Sequence, residues 1–217
     1  MKTIAVLAAL CGIVFTAQAW DSRENNIWLE GGLKGKIADD WTIQLSEQVR
    51  YKEDGFNDYY RHTEACLLWK FRPGWSLAPA FRYVTATKSN VTTSTPTWHL
   101  NLAHSASRFG VQLKSRARVY YSDRGGAADQ TDFRPKFTLT PAKGWTAWKL
   151  KPFVENEMML NLDKRWFYLN RLGAGVSFAP VKKLGLRPFI AQDLYQTEKE
   201  ADWNERLNYG ISACLIF

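Results

Sequence analysis

The sequence predicts an all-β protein, an antiparallel transmembrane β-barrel of about 10 to 12 strands with twelve favoured. Three observations predict it. Apolar and polar residues alternate along one segment after another, the period of a strand and not of a helix. A secretory signal precedes the first of these segments. The chain ends on an aromatic, Phe217, that closes an alternating run through Leu207, Tyr209, Ile211, Ala213 and Leu215. With 217 residues, 46% of them hydrophobic and 14% aromatic, the chain is too rich in core-forming side chains for a disordered protein.

Residues 1–19 carry a charge at Lys2, an apolar run from Ile4 to Thr16 and the small residues Ala17 and Ala19. This is the layout of a cleaved signal peptide, so the mature barrel is expected to span residues 20–217, beginning at Trp20. No later window approaches the roughly 20 apolar residues of a spanning helix. Eleven alternating segments follow, at 27–37, 41–52, 59–71, 75–85, 98–105, 109–121, 131–140, 146–158, 166–178, 184–197 and 203–217. In the second, Trp41, Ile43, Leu45, Val49 and Tyr51 oppose Thr42, Gln44, Ser46, Gln48, Arg50 and Lys52, and only Glu47 breaks the pattern. In the sixth, Phe109, Val111, Leu113, Ala117, Val119 and Tyr121 oppose Gln112, Lys114, Arg116, Arg118 and Tyr120. Side chains two apart share a strand face, so each segment has an apolar and a polar wall. Most segments reach or exceed the roughly 9 to 11 residues that cross a bilayer at a tilt.

Turns rich in Gly, Pro, Asp and Ser separate the segments: Ala38-Asp39-Asp40, Arg72-Pro73-Gly74, Ser105 to Arg108, Pro141 to Gly144 and Ala179 to Lys183. They interleave with longer polar loops at 53–58, 86–97, 122–130, 160–165 and 198–202. Short turns on one side and longer loops on the other are the asymmetry of an outer-membrane barrel. Trp41, Trp69, Phe71, Trp75, Trp98, Phe109, Trp145, Trp148, Trp166 and Trp203 fall at segment ends, as the aromatic girdles of such a barrel would. An even strand number is expected of a single-chain bacterial barrel. Twelve would follow if residues 20–26 began a further strand; the alternative is that they plug the interior, and ten follows if 98–105 is no strand.

Hydrocarbon tolerates a sheet only when its edges are closed. The apolar walls then face lipid and the polar walls an interior. Parity sends Glu30, Lys34, Arg50, His62, Glu64, Lys70, Arg82, His99, Lys114, Arg116, Arg118, Arg134, Lys136, Lys149, Lys151, Glu155, Glu157, Arg171, Arg187, Asp193 and Arg206 inward, where cations predominate. Arg116, Arg118, Arg134, Arg171 and Arg187 are candidates for binding a small anionic solute, because guanidinium forks match carboxylate and phosphate. Glu64, Glu155 and Glu157 are their expected ion-pair partners.

At this strand number the interior is largely filled by side chains, which argues against a general porin. Arg61 points outward near the loop end of its segment and is a candidate contact for lipid phosphate. Lys52, Lys88, Arg124, Lys164, Arg165 and Lys199 add cations to the loop side, at the level of lipopolysaccharide phosphates.

Trp28-Leu29-Glu30, Arg116-x-Arg118, Pro152-Phe153-Val154-Glu155-Asn156-Glu157, Asn170-Arg171-Leu172-Gly173-Ala174-Gly175 and the closing Phe217 resemble the bacterial family called domain of unknown function 2490. The resemblance spans essentially the whole mature chain. It implies an outer-membrane β-barrel of a Gram-negative bacterium, without an established activity or catalytic residues. Phe217 resembles the terminal aromatic through which the barrel assembly machinery recognises its clients.

No catalytic set emerges. His62 shares a face with Glu64 and His99 with Asn101, but neither histidine has a serine two residues on. Glu155 and Glu157, among so many cations, suit a salt-bridge network better than acid catalysis. No Cys/His cluster suggests a metal, no cofactor motif is present, and Cys66 and Cys214 are expected to be free thiols. The net charge of +8 does not indicate nucleic acid, because strand alternation disperses the cations. A barrel enzyme acting on lipid or glycan is one alternative. A soluble lipocalin-like binding protein, with the apolar face turned inward, is another.

Overall fold

All eleven alternating segments become strands. The computed structural model describes residues 24–52, 58–88, 91–125, 128–197 and 202–217. The strands are β1 (Glu24–Lys36), β2 (Trp41–Lys52), β3 (Asp58–Arg72), β4 (Trp75–Lys88), β5 (Val91–Arg108), β6 (Val111–Ser122), β7 (Gln130–Pro141), β8 (Lys151–Asn161), β9 (Trp166–Val181), β10 (Leu184–Tyr195) and β11 (Asn204–Ile216). Each pairs antiparallel with the next, and β1 closes the barrel by pairing parallel with β11, from Glu24 opposite Arg206 to Lys34 opposite Ile216. The signal segment 1–19, the mature start at Trp20 and Lys199 lie outside the described residues, as does the side chain of Lys88.

The favoured count of twelve gives way to eleven among the described residues. Residues 24–26 belong to β1 itself, so they neither found a further strand nor plug the interior, and residues 20–23 of that segment lie outside the described residues. An odd count forces the first and last strands to run the same way, and the parallel seam follows from that arithmetic alone. Buried side chains mark it: Asn26 Nδ2 donates to Asn208 Oδ1 at 3.2 Å, and Asn208 Nδ2 donates to the Ala191 carbonyl at 3.3 Å. At the far end of the seam the Phe217 amide donates to the Lys34 carbonyl at 2.9 Å.

Three connections differ from expectation. The segment at 98–105 is part of an 18-residue strand, and the loop expected at 86–97 is mostly a hairpin of β4 and β5 that rises past its neighbours, since β5 meets β6 only from Thr97 onward. The turn expected at Ser105 to Arg108 falls instead at Phe109 and Gly110, both at positive φ, the backbone of a two-residue hairpin. β8 begins at Lys151, so Lys149 is an exposed turn residue with φ 54° and not an interior cation.

Wall polarity follows parity. Leu29, Leu33, Ile43, Leu45, Leu100, Leu102, Leu113, Val119, Phe137, Leu139, Ile211 and Leu215 are exposed on the outer surface, whereas Glu64, Arg82, Arg118, Asp132, Glu157, Arg171 and Asp193 are buried within. This is the reverse of a lipocalin-like barrel. Aromatics ring the outer wall near both ends. On the short-turn side Trp41 stacks on Trp69 at 5.6 Å, and Trp69 meets Phe71 at 5.6 Å. On the loop side Phe81 meets Trp98 at 4.6 Å and Phe167 meets Trp203 at 5.5 Å.

Candidate functional site

One cross-strand row organises half of the inner wall. Phe153 lies opposite Gly175, Gly175 opposite Phe189, Phe189 opposite Gly210, Gly210 opposite Trp28, Trp28 opposite Arg50 and Arg50 opposite Tyr60. Large rings alternate with glycines because each ring lies over its neighbour. A Cβ on Gly210 would come within 2.3 Å of the Phe189 ring, and one on Gly175 within 2.8 Å of the Phe153 ring. Phe189 thereby reaches Trp28, edge to face at 5.9 Å.

Cations cap these rings. Arg187 lies 3.9 Å above Phe153, and Arg50 sits between Trp28 at 3.9 Å and Tyr60 at 4.2 Å. Arg171 covers Trp28 at 4.5 Å. On the opposite wall Arg134 lies 4.3 Å over Tyr120, against which His99 stacks at 5.0 Å and Arg82 and Arg118 lie at 5.3 and 5.9 Å. A guanidinium over a ring face gains cation–π attraction while its edge stays open to hydrogen bonds.

Ion pairs connect these layers. Arg171 grips Asp193 with two bonds, at 2.6 and 2.8 Å, and reaches Glu157 at 3.3 Å; Arg116 holds the other Glu157 oxygen at 2.5 Å. Glu155 accepts from Lys136 at 2.7 Å and from Arg187. Glu64 accepts from Arg82 through Nε at 2.8 Å and again through Nη2. Arg134 pairs with Asp132 at 3.3 Å, and the same carboxylate accepts from Tyr168 at 2.8 Å. Asp132 is absent from the expected interior set, although its parity with Arg134 would have supplied it.

Of the five candidate anion-binding arginines, Arg116, Arg134, Arg171 and Arg187 are thus held by carboxylates. Arg118 is not: its Nε donates to the amide oxygen of Asn101 at 2.5 Å. Arg50 repeats the arrangement, with its Nε donating to the amide oxygen of Gln48 at 2.8 Å. The signal for both is present in sequence as an amide two residues before Arg50 and an amide on a strand adjoining Arg118.

Two interior cavities of about 410 Å³ each share Tyr60, Arg134 and Tyr168 in their walls. The cavity on the turn side holds Arg50, His62, Arg116, Arg118, Arg171 and Arg187 in its lining, and the one on the loop side is bounded by Thr95, Thr97, Tyr120, Ser122, Gln130 and Asn161 among others. Two guanidinium–ring stacks, Trp28–Arg50–Tyr60 from one wall and Tyr120–Arg134 from the other, with Arg134 also donating to the Tyr168 hydroxyl at 3.5 Å, stand where these cavities adjoin. Most of the charges therefore line the turn-side chamber, and the loop-side one is mainly neutral and polar apart from Arg124, Asp132 and Arg134.

His62 and His99 are both buried, and His99 Nε2 lies 3.6 Å from Glu64 Oε1. Among the described residues neither ring nitrogen of His99 nor Nδ1 of His62 has a hydrogen-bond partner. No group of His, Cys, Asp and Glu among the described residues could hold a metal ion, and Cys66 and Cys214 are free. Arg61 is on the outer wall, where it pairs with Glu47, the residue that breaks the alternation of β2. The one irregularity of that strand is therefore the counter-charge of the outward arginine. Phe217 is exposed at the turn-side rim.

No curated protein matches the chain. The family described as protein of unknown function (DUF2490) matches residues 25–204, from the first strand to the start of the last, and the chain belongs to that family.

Proposed function

We propose that the protein is an outer-membrane β-barrel whose cation-rich interior gives small anions a narrow passage. The observation that carries this reading is the sidedness of a closed wall: apolar and aromatic outside, charged inside, with basic groups in excess of acids. Hydrocarbon is the solvent that such an outer surface suits, since water would leave it exposed and a closed sheet satisfies its own backbone. From Trp69 to Arg61 is eight residues of β3, roughly 26 Å of strand and about 20 Å of height at the usual tilt. Arg61 would then reach the headgroup level on the loop side, where lipopolysaccharide or phospholipid phosphates are its partners and Glu47 shields it when none is bound. Export by the signal at residues 1–19 and recognition of Phe217 by the barrel assembly machinery complete the proposal.

Membrane fractionation and heat-modifiable gel mobility test the location. Recovery of folded protein in detergent-free buffer overturns it. In planar bilayers with asymmetric KCl, the zero-current potential should have the sign of chloride preference, and Arg116→Ala with Arg118→Ala should reduce it. Cation preference overturns the passage. A membrane-inserted barrel with no conductance would favour the second reading, an envelope structural protein, for which the ring–guanidinium stacks between the chambers are the supporting observation.

A further inference from the structure

Half-buried Arg50 and buried Arg118 differ from Arg82, Arg116, Arg134, Arg171 and Arg187 around them. Among the described residues, each makes its side-chain hydrogen bond through Nε to a neutral amide oxygen, Gln48 for Arg50 and Asn101 for Arg118, and neither forms an ion pair. An amide oxygen fixes the guanidinium plane without cancelling its charge. The two terminal nitrogens of each side chain make no hydrogen bond to the described residues, and both arginines line the same turn-side chamber. Arg118 is 8% exposed. A charge taken out of water without a counter-charge is costly, and proteins answer it with a partner.

A third group points to the same place. His62 is 5% exposed, lines the chamber, and its Nδ1 has no hydrogen-bond partner. It lies within the electrostatic reach of Arg50, Arg82, Arg118 and Glu64. Glu64 gives one oxygen to both Arg82 bonds, and neither Arg50 nor Arg118 forms an ion pair with that carboxylate. We propose that Arg50, Arg118 and His62 form a specific site for a single small oxyanion, a carboxylate or inorganic phosphate, inside the turn-side chamber. The open guanidinium edges supply paired N–H donors that match the two oxygens of such a group, and His62 supplies a further polar contact. Neighbouring Arg116, Arg134, Arg171 and Arg187 keep their carboxylates and set the field without binding the ligand themselves.

The site deepens the anion-preferring reading of the interior and rests on it, but equilibrium binding tests the site and conductance tests the passage. Full-length mature protein in detergent is titrated with inorganic phosphate at constant ionic strength, with chloride as the background ion, and followed by calorimetry and by the thermal unfolding midpoint. Saturable one-to-one binding with a rise in midpoint is expected. Charge-assisted bonds of this kind contribute enough that Arg50→Gln with Arg118→Gln should weaken binding about 10- to 100-fold or more, while Arg108→Gln, exposed at the turn-side end of β5, leaves it within a few-fold. Without phosphate the double variant loses the Arg50 contacts to Trp28 and Tyr60 as well as two charges, so the readout is the phosphate-dependent rise in midpoint, which the variant should lack. Arg50→Lys with Arg118→Lys keeps the charge and loses the fork, and it replaces the glutamine variant should that fail to fold: weakened binding supports the site, and unchanged binding overturns it. Absence of saturable phosphate binding in the parent also overturns it, even if the barrel conducts anions; binding without conductance upholds the site and removes the passage.

Discussion

Gly210 shows how closely a single residue is tied to its surroundings. The Phe189 ring occupies the space where a Cβ would stand, at 2.3 Å, and carries the contact on to Trp28. Gly210→Ala should cost about 1 to 3 kcal/mol as overpacking, read as an earlier unfolding midpoint in urea, and Phe189→Leu should recover part of it because the obstacle is a side chain. Gly175→Ala should be worse and unrescued by Phe153→Leu, since its Cβ would also meet the Pro188 carbonyl oxygen at 2.3 Å and Phe189 Cα at 2.9 Å, both backbone. Gly31→Ala, with nothing within 4 Å, is the neutral control. Glu157→Gln acts through charge instead: it leaves Arg116 with no carboxylate and Arg171 with Asp193 alone, and the loss of one member of a buried network costs about 3 to 5 kcal/mol. The inward set is legible in the sequence because parity alone selects it. Which arginines are neutralised is not, because the pairing crosses strands whose register no local pattern fixes: Arg116 meets Glu157 two strands away, and the partner of Arg118 is an asparagine with no charge to attract notice.

At the scale of elements, alternation locates the strands well and their ends badly. It identifies Trp41–Lys52 almost to the residue, since both faces are strongly patterned. It fails at Val91–Thr97, where Thr and Ser occupy both faces of a hairpin that rises clear of its neighbours and has no apolar wall to display. The β6–β7 connection is held by a different device. Asp129 accepts from the Tyr121 hydroxyl at 2.6 Å and from the Arg124 amide at 3.2 Å, tying the loop to an aromatic of the outer wall. These two donors, Tyr121 first, hold its carboxyl below the usual carboxylate range. A depressed folded value means that the tether's contribution is complete above the carboxylate's ordinary titration, at about pH 3.9, and fades only as pH falls through the lower folded value. Amide exchange at Arg124 should therefore be equally slow relative to the Asp129→Asn variant at about pH 7 and about pH 5, and the difference should vanish in stronger acid. A difference that disappears already between those two conditions would show that the carboxylate is not the tether.

For the whole molecule the decisive feature is closure. Eleven strands joined by hairpins leave β1 and β11 running in the same direction, so the first strand starts on the loop side while Phe217 ends the chain on the turn side. The eleven segments visible in the sequence already imply a parallel seam; the general expectation of an even number, which no residue encodes, is what drew the count to twelve. A parallel ladder has slanted hydrogen bonds and is slightly weaker per residue, which makes the buried Asn26–Asn208 contact and the Trp28–Phe189 contact across Gly210 the features that hold this join. The register places Gly32 directly opposite Cys214, a native free thiol on the inner face. A Cβ on Gly32 would meet the Leu45 carbonyl oxygen at 3.3 Å and Ser46 Cβ at 3.6 Å, close but passable. Adjacent strands lie about 5 Å apart, within the Cα separation that a disulfide spans. Gly32→Cys should accordingly form an intramolecular bond with Cys214 under mild oxidation, detected by a loss of two thiols without dimerisation and by slower unfolding of the oxidised form. Cys66 is on β3 and cannot compete, since two strands separate it from Cys214. An additional strand between β1 and β11, or an antiparallel seam with another register, would leave both thiols free, and that result would reject the eleven-stranded closure.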